Sequence, residues 1–197
     1  VYGNTIVLKP ASATPHVATL IARMWEAVDL PAGVFNLITG SGSQVGNELI
    51  TNSKVAAISF TGSTRIGMNI AAESAKRGKR YQLEMGGKNP VIVLPDADLE
   101  QAAEITVSGA MKYSGQKCTA TSRAIVVGNI MEEFTNLVVE KTNALKIGAG
   151  ADPESIIVPV IDQASKNNIT SMIARGIADG GKILAGGGIP TGGAYDN

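Results

Sequence analysis

Two short segments carry the residue types that can do covalent chemistry. In the first, Glu84 closes an apolar run and is followed by Gly86 and Gly87, which let the backbone pass close to another group. In the second, Cys118 is the only cysteine of the chain and follows a glycine turn. A sole cysteine near a potential general base is a candidate nucleophile. The competing interpretation is a buried, inert thiol.

Apolar runs alternate with amphipathic segments along the chain, which predicts an α/β protein with a doubly wound parallel sheet. The predicted domain boundary is the glycine pair at 86–87. Strands are expected at 5–8, 34–38, 55–60, 80–85, 90–94, 123–127 and 182–185. Helices are expected at 15–28, after 46, and at 64–76, 98–111, 131–145 and 164–179.

Composition excludes several functional classes. The chain has 197 residues with 17 basic and 17 acidic side chains, so its bulk charge attracts neither nucleic acid nor an anionic membrane. No apolar run is long enough to span a bilayer, and one cysteine fits a reducing compartment. No His/Cys cluster suggests a metal. The two ends stop without start or end signals, so we expect a fragment of a longer, cytoplasmic protein.

Two strand-to-helix turns could bind phosphate. The run 40–46 has glycines at Gly40, Gly42 and Gly46, which misses the G-x-G-x-x-G spacing by one residue. The turn at Gly62 and Ser63 ends one strand and opens a helix whose free N–H groups and dipole favour an anion. The alternative interpretation is a serine-capped helix after an ordinary glycine turn, and the spacing leaves both open.

Five motifs, in order along the whole chain, together resemble the aldehyde dehydrogenase superfamily. The candidate chemistry lies in its glutamate signature, Leu83-Glu84-Met85-Gly86-Gly87-Lys88-Asn89-Pro90, and its cysteine signature, Gly115-Gln116-Lys117-Cys118. Glu84 and Cys118 are 34 positions apart, as in the family. The other matches are Asn4-Thr5-Ile6-Val7-Leu8-Lys9-Pro10, Leu30-Pro31-Ala32-Gly33-Val34-Phe35-Asn36 and Phe60-Thr61-Gly62-Ser63-Thr64.

The resemblance implies a fold and a mechanism. Residues 1–86 would be part of a Rossmann-like cofactor-binding domain, and residues 87–197 part of an α/β catalytic domain. Cys118 would attack an aldehyde to give a thiohemiacetal, which becomes a thioester after hydride transfer to NAD(P)+. Glu84 would activate the hydrolytic water. The backbone N–H of Cys118 would be one oxyanion donor. The second donor, an upstream asparagine, and the downstream oligomerisation strand are expected outside this chain.

The resemblance also implies the cofactor contacts. Lys9 matches a lysine that contacts the adenosine ribose, and Ser12 stands where NAD-preferring members commonly carry glutamate. A carboxylate would repel a 2′-phosphate, whereas a serine would not, which favours NADP or dual use. Another group could instead set the preference. The remaining expected contacts are Thr61, Gly62 and Ser63 at the pyrophosphate, Gly42 and Gly46 beside adenine, and Met85 near the nicotinamide.

Other functional classes stay open at this stage. A catalytically silent fragment would only bind a dinucleotide or pack in an assembly. A phosphorylating or acyl-CoA-forming relative would often lack the glutamate, so Glu84 favours hydrolysis. The expected substrate is a small aldehyde, with semialdehydes of dicarboxylic acids the leading guess, and the expected assembly is a homodimer or homotetramer. Lys112 and Lys117 could lower the pKa of the cysteine or point at solvent.

Overall fold

Contacts within the chain divide it into two compact units, Val1–Met85 and Gly86–Asn197. The structure, a computed structural model, describes residues 3–192. The assignment of one unit to cofactor binding and the other to catalysis stays a prediction. Among the described residues, no helix is both long and apolar enough to cross a membrane.

The first unit contains two pairs of parallel strands, each joined through helical connections. Strand β1 pairs with β2, and β3 pairs with β4 in register from Ala57 opposite Arg80 to Gly62 opposite Met85. Its elements are β1 (Ile6–Leu8), α1 (Pro15–Ala27), β2 (Phe35–Leu37), a π-helical turn (Gly42–Gly46), α2 (Asn47–Thr51), β3 (Ala57–Gly62), α3 (Thr64–Lys76) and β4 (Arg80–Met85).

Helix α3 illustrates why the sequence folds locally as it does. Ser63 caps the helix, and its hydroxyl oxygen accepts the Ile66 N–H at 3.4 Å. Ile70 and Gly67 lie on one face and are buried, and the helix packs on β3 and β4. Apolar and small residues at helical spacing therefore place this helix on the strand pair. Helix α3 therefore begins where β3 ends.

The second unit has one pair of parallel strands with helices packed on it. Its elements are β5 (Asn89–Val93), α4 (Leu99–Met111), β6 (Thr121–Val126), α5 (Met131–Asn143) and α6 (Gln163–Ala178). Val93, Ala103 and Phe134 are almost fully buried and form its core. Asp98 caps α4, because its Oδ1 accepts the Gln101 N–H at 3.0 Å.

The prediction of an α/β protein with parallel strands is confirmed, since the three strand pairs formed by residues 3–192 are all parallel. The strand predicted at 182–185 is wrong. In the part of the chain that the structure describes, this segment pairs with no other strand, and Ile183 and Leu184 are about half exposed. Glycines with positive φ lie at both ends, at Gly180 and Gly186. An extended segment becomes a strand only when a neighbouring backbone completes its hydrogen bonds.

We expect Asp162→Asn to reduce the acid sensitivity of folding. Asp162 caps α6, and the Ser165 N–H bonded to its carboxylate holds its pKa below the ordinary value of 3.8. A lowered folded-state pKa gives stability that is present above the unfolded-state pKa and is lost as pH falls through the folded-state pKa. Asparagine keeps a capping oxygen but does not titrate.

Urea denaturation followed by circular dichroism at pH 7 and at pH 3 measures this effect. The unfolding midpoint of Asp162→Asn should fall less between the two pH values than that of the unmodified chain. Asp179→Asn, at the other end of α6, is the matched control. An equal fall in Asp162→Asn and in the unmodified chain would contradict the capping account.

Candidate active-site residues

Lys9 and Ser12 converge on one backbone carbonyl beyond the carboxyl end of the β1–β2 pair. The Lys9 ammonium donates to Gly40 O at 3.3 Å and to Pro10 O at 2.7 Å. The Ser12 hydroxyl donates to the same Gly40 oxygen at 3.1 Å. The carboxyl ends of parallel strands meet at one edge of a sheet, so residues 28 to 31 positions apart are neighbours here. The two residues predicted to contact the adenosine ribose are therefore side by side.

The glycine-rich run that follows forms a π-helical turn, Gly42–Gly46, capped by Ser41. The Ser41 hydroxyl oxygen accepts the Gln44 N–H at 3.1 Å. A Cβ built on Gly42 or on Gly46 would meet nothing within 4 Å. No contact inside the described chain therefore requires glycine at these positions, and the space beside them is free for another molecule.

The turn between β3 and α3 has a different reason for its glycine. A Cβ on Gly62 would clash with the tip of the Phe60 ring, so packing inside the unit already favours the small residue. Ser63 uses its hydroxyl as the α3 cap, and Thr61 and Ser63 are both exposed. The remaining first-turn N–H groups of α3 have no partner within the helix, as at any helix start. This end of the helix suits an anion.

The donor set of the first unit fits a phosphate-containing dinucleotide. It offers one ammonium at Lys9, one hydroxyl at Ser12, open space beside Gly42 and Gly46, and the positive end of the dipole of α3. A cleft of about 100 Å³ contains Ser12 in its wall and is lined by Pro10, Ala11, Ser12, Pro15, Thr39 and Gly40.

Glu84 and Met85 end β4 and, as consecutive strand residues, point to opposite faces. Glu84 is exposed and lies opposite Thr61 in the ladder. Met85 is half-buried against α3, where a Cβ on Gly67 would lie 2.5 Å from its sulfur. The carboxylate is therefore presented to the outside of the strand pair, while the methionine packs against the neighbouring helix.

Cys118 is exposed and follows a strained turn. Tyr113, Ser114 and Gly115 have φ angles of 56°, 54° and 70°, so three successive residues are in the left-handed region. For a non-glycine residue this conformation costs roughly 1–2 kcal/mol. The Ser114 hydroxyl accepts the Val158 N–H at 2.9 Å and donates to Val158 O at 3.2 Å. These two bonds tie the strained turn to a segment 44 positions away.

The segment that holds Ser114 is itself fixed. Ile147 and Ile157 form a parallel bridge that closes the loop between them. The Lys146 ammonium lies 3.0 Å from an Asp152 carboxylate oxygen and 2.8 Å from one of Glu154. The pKa of Asp152 is lowered, first by the backbone N–H of Glu154 and then by Lys146. Val158 therefore follows an ordered loop, which makes it a firm anchor.

Side-chain hydrogen bonds hold the segment around Cys118, which leads into β6, to the residues at the start of β5. The Asn89 amide donates to Cys118 O at 2.7 Å and to Ala120 O at 3.1 Å. The Arg123 guanidinium donates to Lys88 O at 2.6 and 3.1 Å. The residues after Glu84 and the residues around the cysteine are thus fastened together within the second unit.

Both lysines near the cysteine are exposed, and one of them lies beside an aromatic ring. The Lys117 ammonium lies 5.1 Å from the centre of the Tyr113 ring, a cation–π distance, and Lys112 is exposed. Among residues 3–192, no group of three His, Cys, Asp or Glu side chains could hold a metal ion.

The structure brings some of the predicted residues together within each unit. Lys9 and Ser12 share a carbonyl, and Thr61 lies opposite Glu84. Glu84 belongs to the first unit and Cys118 to the second.

Sequence reasoning gave no role to Ser114 or to the Asn89 side chain. The signal for Asn89 was present, because a proline without an N–H follows it at the start of a strand. No local signal marked Ser114, whose partner is distant in the sequence.

Ser114→Ala should destabilise the chain by about 1–3 kcal/mol, because it leaves the Val158 N–H and C=O unpaired and keeps the left-handed strain. Ser114→Gly loses the same bonds but relieves the strain, so its unfolding midpoint in urea should exceed that of Ser114→Ala. Ser171→Ala, on α6, is the control for removing a hydroxyl. A midpoint for Ser114→Ala equal to that of the unmodified chain would contradict the anchoring role.

Comparison with known proteins identifies a family and relatives that the chain resembles. The sequence profile described as "Aldehyde dehydrogenase family" matches residues 1–196. The alpha-ketoglutaric semialdehyde dehydrogenase of Bacillus subtilis strain 168 is 45% identical over 197 residues, covering 100% of this chain and 40% of that protein. The 1-pyrroline-5-carboxylate dehydrogenase of Geobacillus sp. strain WCH70 is 46% identical over 193 residues, covering 95% of this chain and 37% of that protein.

A solved structure agrees with these relatives. The fold is similar to an Escherichia coli structure described as an NADP dependent enzyme, with a TM-score of 0.88, 39% identity, and coverage of 93% of this chain and 38% of that one. The chain thus spans about two-fifths of the length of the proteins that it matches. On the match along almost its whole length, the chain belongs to the aldehyde dehydrogenase family.

Proposed function

We propose that this chain is the central part of an NAD(P)-dependent aldehyde dehydrogenase that oxidises an aldehyde to a carboxylate. The observation that carries the proposal is the family match from residue 1 to 196 with both chemical residues intact. Cys118 is exposed beside an anchored turn, and Glu84 is exposed at the end of a strand. An exposed thiol can reach a substrate, and an exposed carboxylate can reach water.

The proposed steps use residues of this chain. The Cys118 thiolate adds to the aldehyde carbon and forms a C–S bond, while the carbonyl oxygen becomes an oxyanion that the Cys118 N–H stabilises. A bound nicotinamide would supply the hydride acceptor that converts this adduct to a thioester. Glu84 takes a proton from water, and the resulting hydroxide equivalent attacks the thioester carbon. The carboxylate product leaves and the Cys118 thiolate is restored.

NADP is the proposed preferred cofactor, with dual use of NAD as the alternative. Ser12 offers a neutral hydroxyl, and Lys9 an ammonium, at the end of β1. A 2′-phosphate carries negative charge, so a cation and a hydroxyl favour it, whereas a carboxylate would repel it.

The proposed substrate is a semialdehyde derived from a dicarboxylic acid. The name of the Bacillus subtilis relative supports this class. The Geobacillus relative has a different substrate in its name at a similar identity, so 1-pyrroline-5-carboxylate is the competing choice. A homodimer or homotetramer is the proposed assembly.

The alternative is a catalytically silent member that only binds a dinucleotide or packs in an assembly. Intact Cys118 and Glu84 favour the enzyme, because a silent chain has no need for either group. Glu84 likewise favours hydrolysis over transfer of the acyl group to phosphate or coenzyme A.

In the intact enzyme, Cys118→Ser and Glu84→Gln should separate the two chemical steps. Cys118→Ser should lower NADPH formation by at least about 10³-fold, because a hydroxyl at neutral pH is a far weaker nucleophile than a thiolate. Glu84→Gln should still give a burst of about one equivalent of NADPH per site and then stop, since only thioester hydrolysis needs the base. Rapid-mixing absorbance at 340 nm measures both outcomes.

Glu133→Gln, an exposed substitution on α5, should keep the full steady-state rate and serves as the control. Undiminished NADPH formation in Cys118→Ser would end the mechanistic proposal. Absence of a burst in Glu84→Gln would assign the carboxylate to an earlier step.

Ser12→Glu should move cofactor preference toward NAD. A carboxylate here would repel a 2′-phosphate by about 1.4 kcal/mol or more, so the ratio of kcat/KM for NADP over NAD should fall by about tenfold or more. Ala13→Glu adds the same charge at the adjacent exposed position and should change the ratio less. Equal ratios in Ser12→Glu and in the unmodified enzyme would show that another group sets the preference.

A further inference from the structure

We propose that Asn89 is a positioning residue for Cys118. Its side-chain amide donates to the carbonyl oxygens of Cys118 at 2.7 Å and of Ala120 at 3.1 Å. A primary amide has two N–H donors, and here both are directed at the backbone that carries the thiol. Asn89 is half-buried at the start of β5. No other side-chain donor to the Cys118 carbonyl is recorded in the described chain.

The ladder between β5 and β6 explains why a side chain is needed here. Asn89 lies opposite Thr121, but Pro90 lies opposite Arg123, so the register shifts by one residue at this point. Pro90 has no N–H and cannot donate across the ladder. At this end of the strand pair, Pro90 therefore contributes no backbone donor. The Asn89 amide supplies two donors at that end.

Glycine at 87 makes room for this contact. A Cβ on Gly87 would lie 3.1 Å from Asn89 Oδ1 and 3.6 Å from Cys118 O. The first distance is shorter than ordinary van der Waals contact, so an alanine would force the Asn89 amide to shift by a few tenths of an ångström. Gly87 thus permits the close approach of the Asn89 amide and the Cys118 carbonyl.

The consequence for the thiol is geometric. A fixed Cys118 carbonyl fixes the plane of the following peptide and therefore the ψ angle of the cysteine. The Ser114 bonds restrain the turn before Cys118, and the Asn89 bonds restrain the chain after it. The thiol then projects from a backbone that is held on both sides. Asn89 acts through this backbone and need not touch the substrate.

The direct test observes the Cys118 carbonyl itself. Because the chain has a single cysteine, labelling with [1-¹³C]cysteine gives one carbonyl resonance. Hydrogen bonding deshields a carbonyl carbon, so Asn89→Leu, which keeps the size but removes the donors, should shift the resonance upfield. Gly87→Ala should shift it in the same direction by a smaller amount.

Asn36→Leu is the matched control for the same change. The Asn36 amide also donates to two backbone carbonyls, Ile6 O at 3.2 Å and Gly33 O at 2.8 Å, but in the first unit. The Asn36→Leu variant should leave the Cys118 carbonyl resonance unchanged. Circular dichroism checks that each variant is folded. If Asn89→Leu does not fold, Asn89→Ser, which keeps one shorter donor, and Gly87→Ala provide the same comparison.

The catalytic consequence rests on the proposed function and is measured on the intact enzyme. Asn89→Leu should lower kcat by about 10- to 100-fold with the KM for NADP unchanged, because a small misplacement of a nucleophile is costly while the cofactor contacts lie elsewhere. Asn89→Ser should recover part of the loss. An effect through stability alone would not follow the number of donors in this way.

Two results would overturn the proposal: an unmoved carbonyl resonance in folded Asn89→Leu, or a moved resonance with unchanged kcat. Retained NADPH formation in Cys118→Ser would instead refute the proposed function, and the resonance would still report whether Asn89 holds the cysteine backbone.

Discussion

The backbone around Cys118 is held in a conformation that it would not keep unaided. Two non-glycine residues and a glycine in the left-handed region precede the cysteine, and each non-glycine residue costs roughly 1–2 kcal/mol. The opposing terms are hydrogen bonds between side chains and backbone, from Ser114 on one side and Asn89 on the other. Strain of this kind persists only where its surroundings over-determine it. The exposed thiol depends on those few contacts for its direction.

In the first unit, the pairing of parallel strands is enough to bring the polar residues together. Parallel strands bring their carboxyl ends to one edge, so Lys9 and Ser12, which follow β1, contact Gly40 in the loop that follows β2. Helix α3 begins directly after β3, so its dipole is available beside the same kind of strand end. Polar side chains and open glycines gather there without strain. In the proposed function, a negatively charged, extended ligand would bind at such an edge, and the more constrained loop of the second unit would carry the covalent chemistry.

Much of the fold could be predicted from the sequence, because short apolar runs and helix caps are local signals. The bounds of α3 and β4 and the cap at Asp98 follow from residues within one or two turns of the chain. The strand expected at 182–185 failed because strand formation needs a partner that no local pattern can supply. Predicted bounds at strand ends also moved by one or two residues, where pairing rather than hydrophobicity decides.

The candidate site could likewise be predicted only in part from the sequence. Cys118 and Glu84 could be singled out by residue type, and the family resemblance gave the cofactor residues. Packing added what the sequence did not show: Phe60 accounts for Gly62, Gly67 accommodates Met85, and Asn89 binds the Cys118 carbonyl. Each of these depends on residues brought together by pairing or by a turn.

In the proposed mechanism, Cys118 carries the acyl group during turnover. The most direct measurement is peptide mass spectrometry of the intact Glu84→Gln enzyme, quenched in acid after mixing with a semialdehyde and NADP. The peptide containing Cys118 should gain the mass of the acyl group in place of a hydrogen. Reduced cofactor formed with no adduct on that peptide, or with the adduct on another residue, would contradict it.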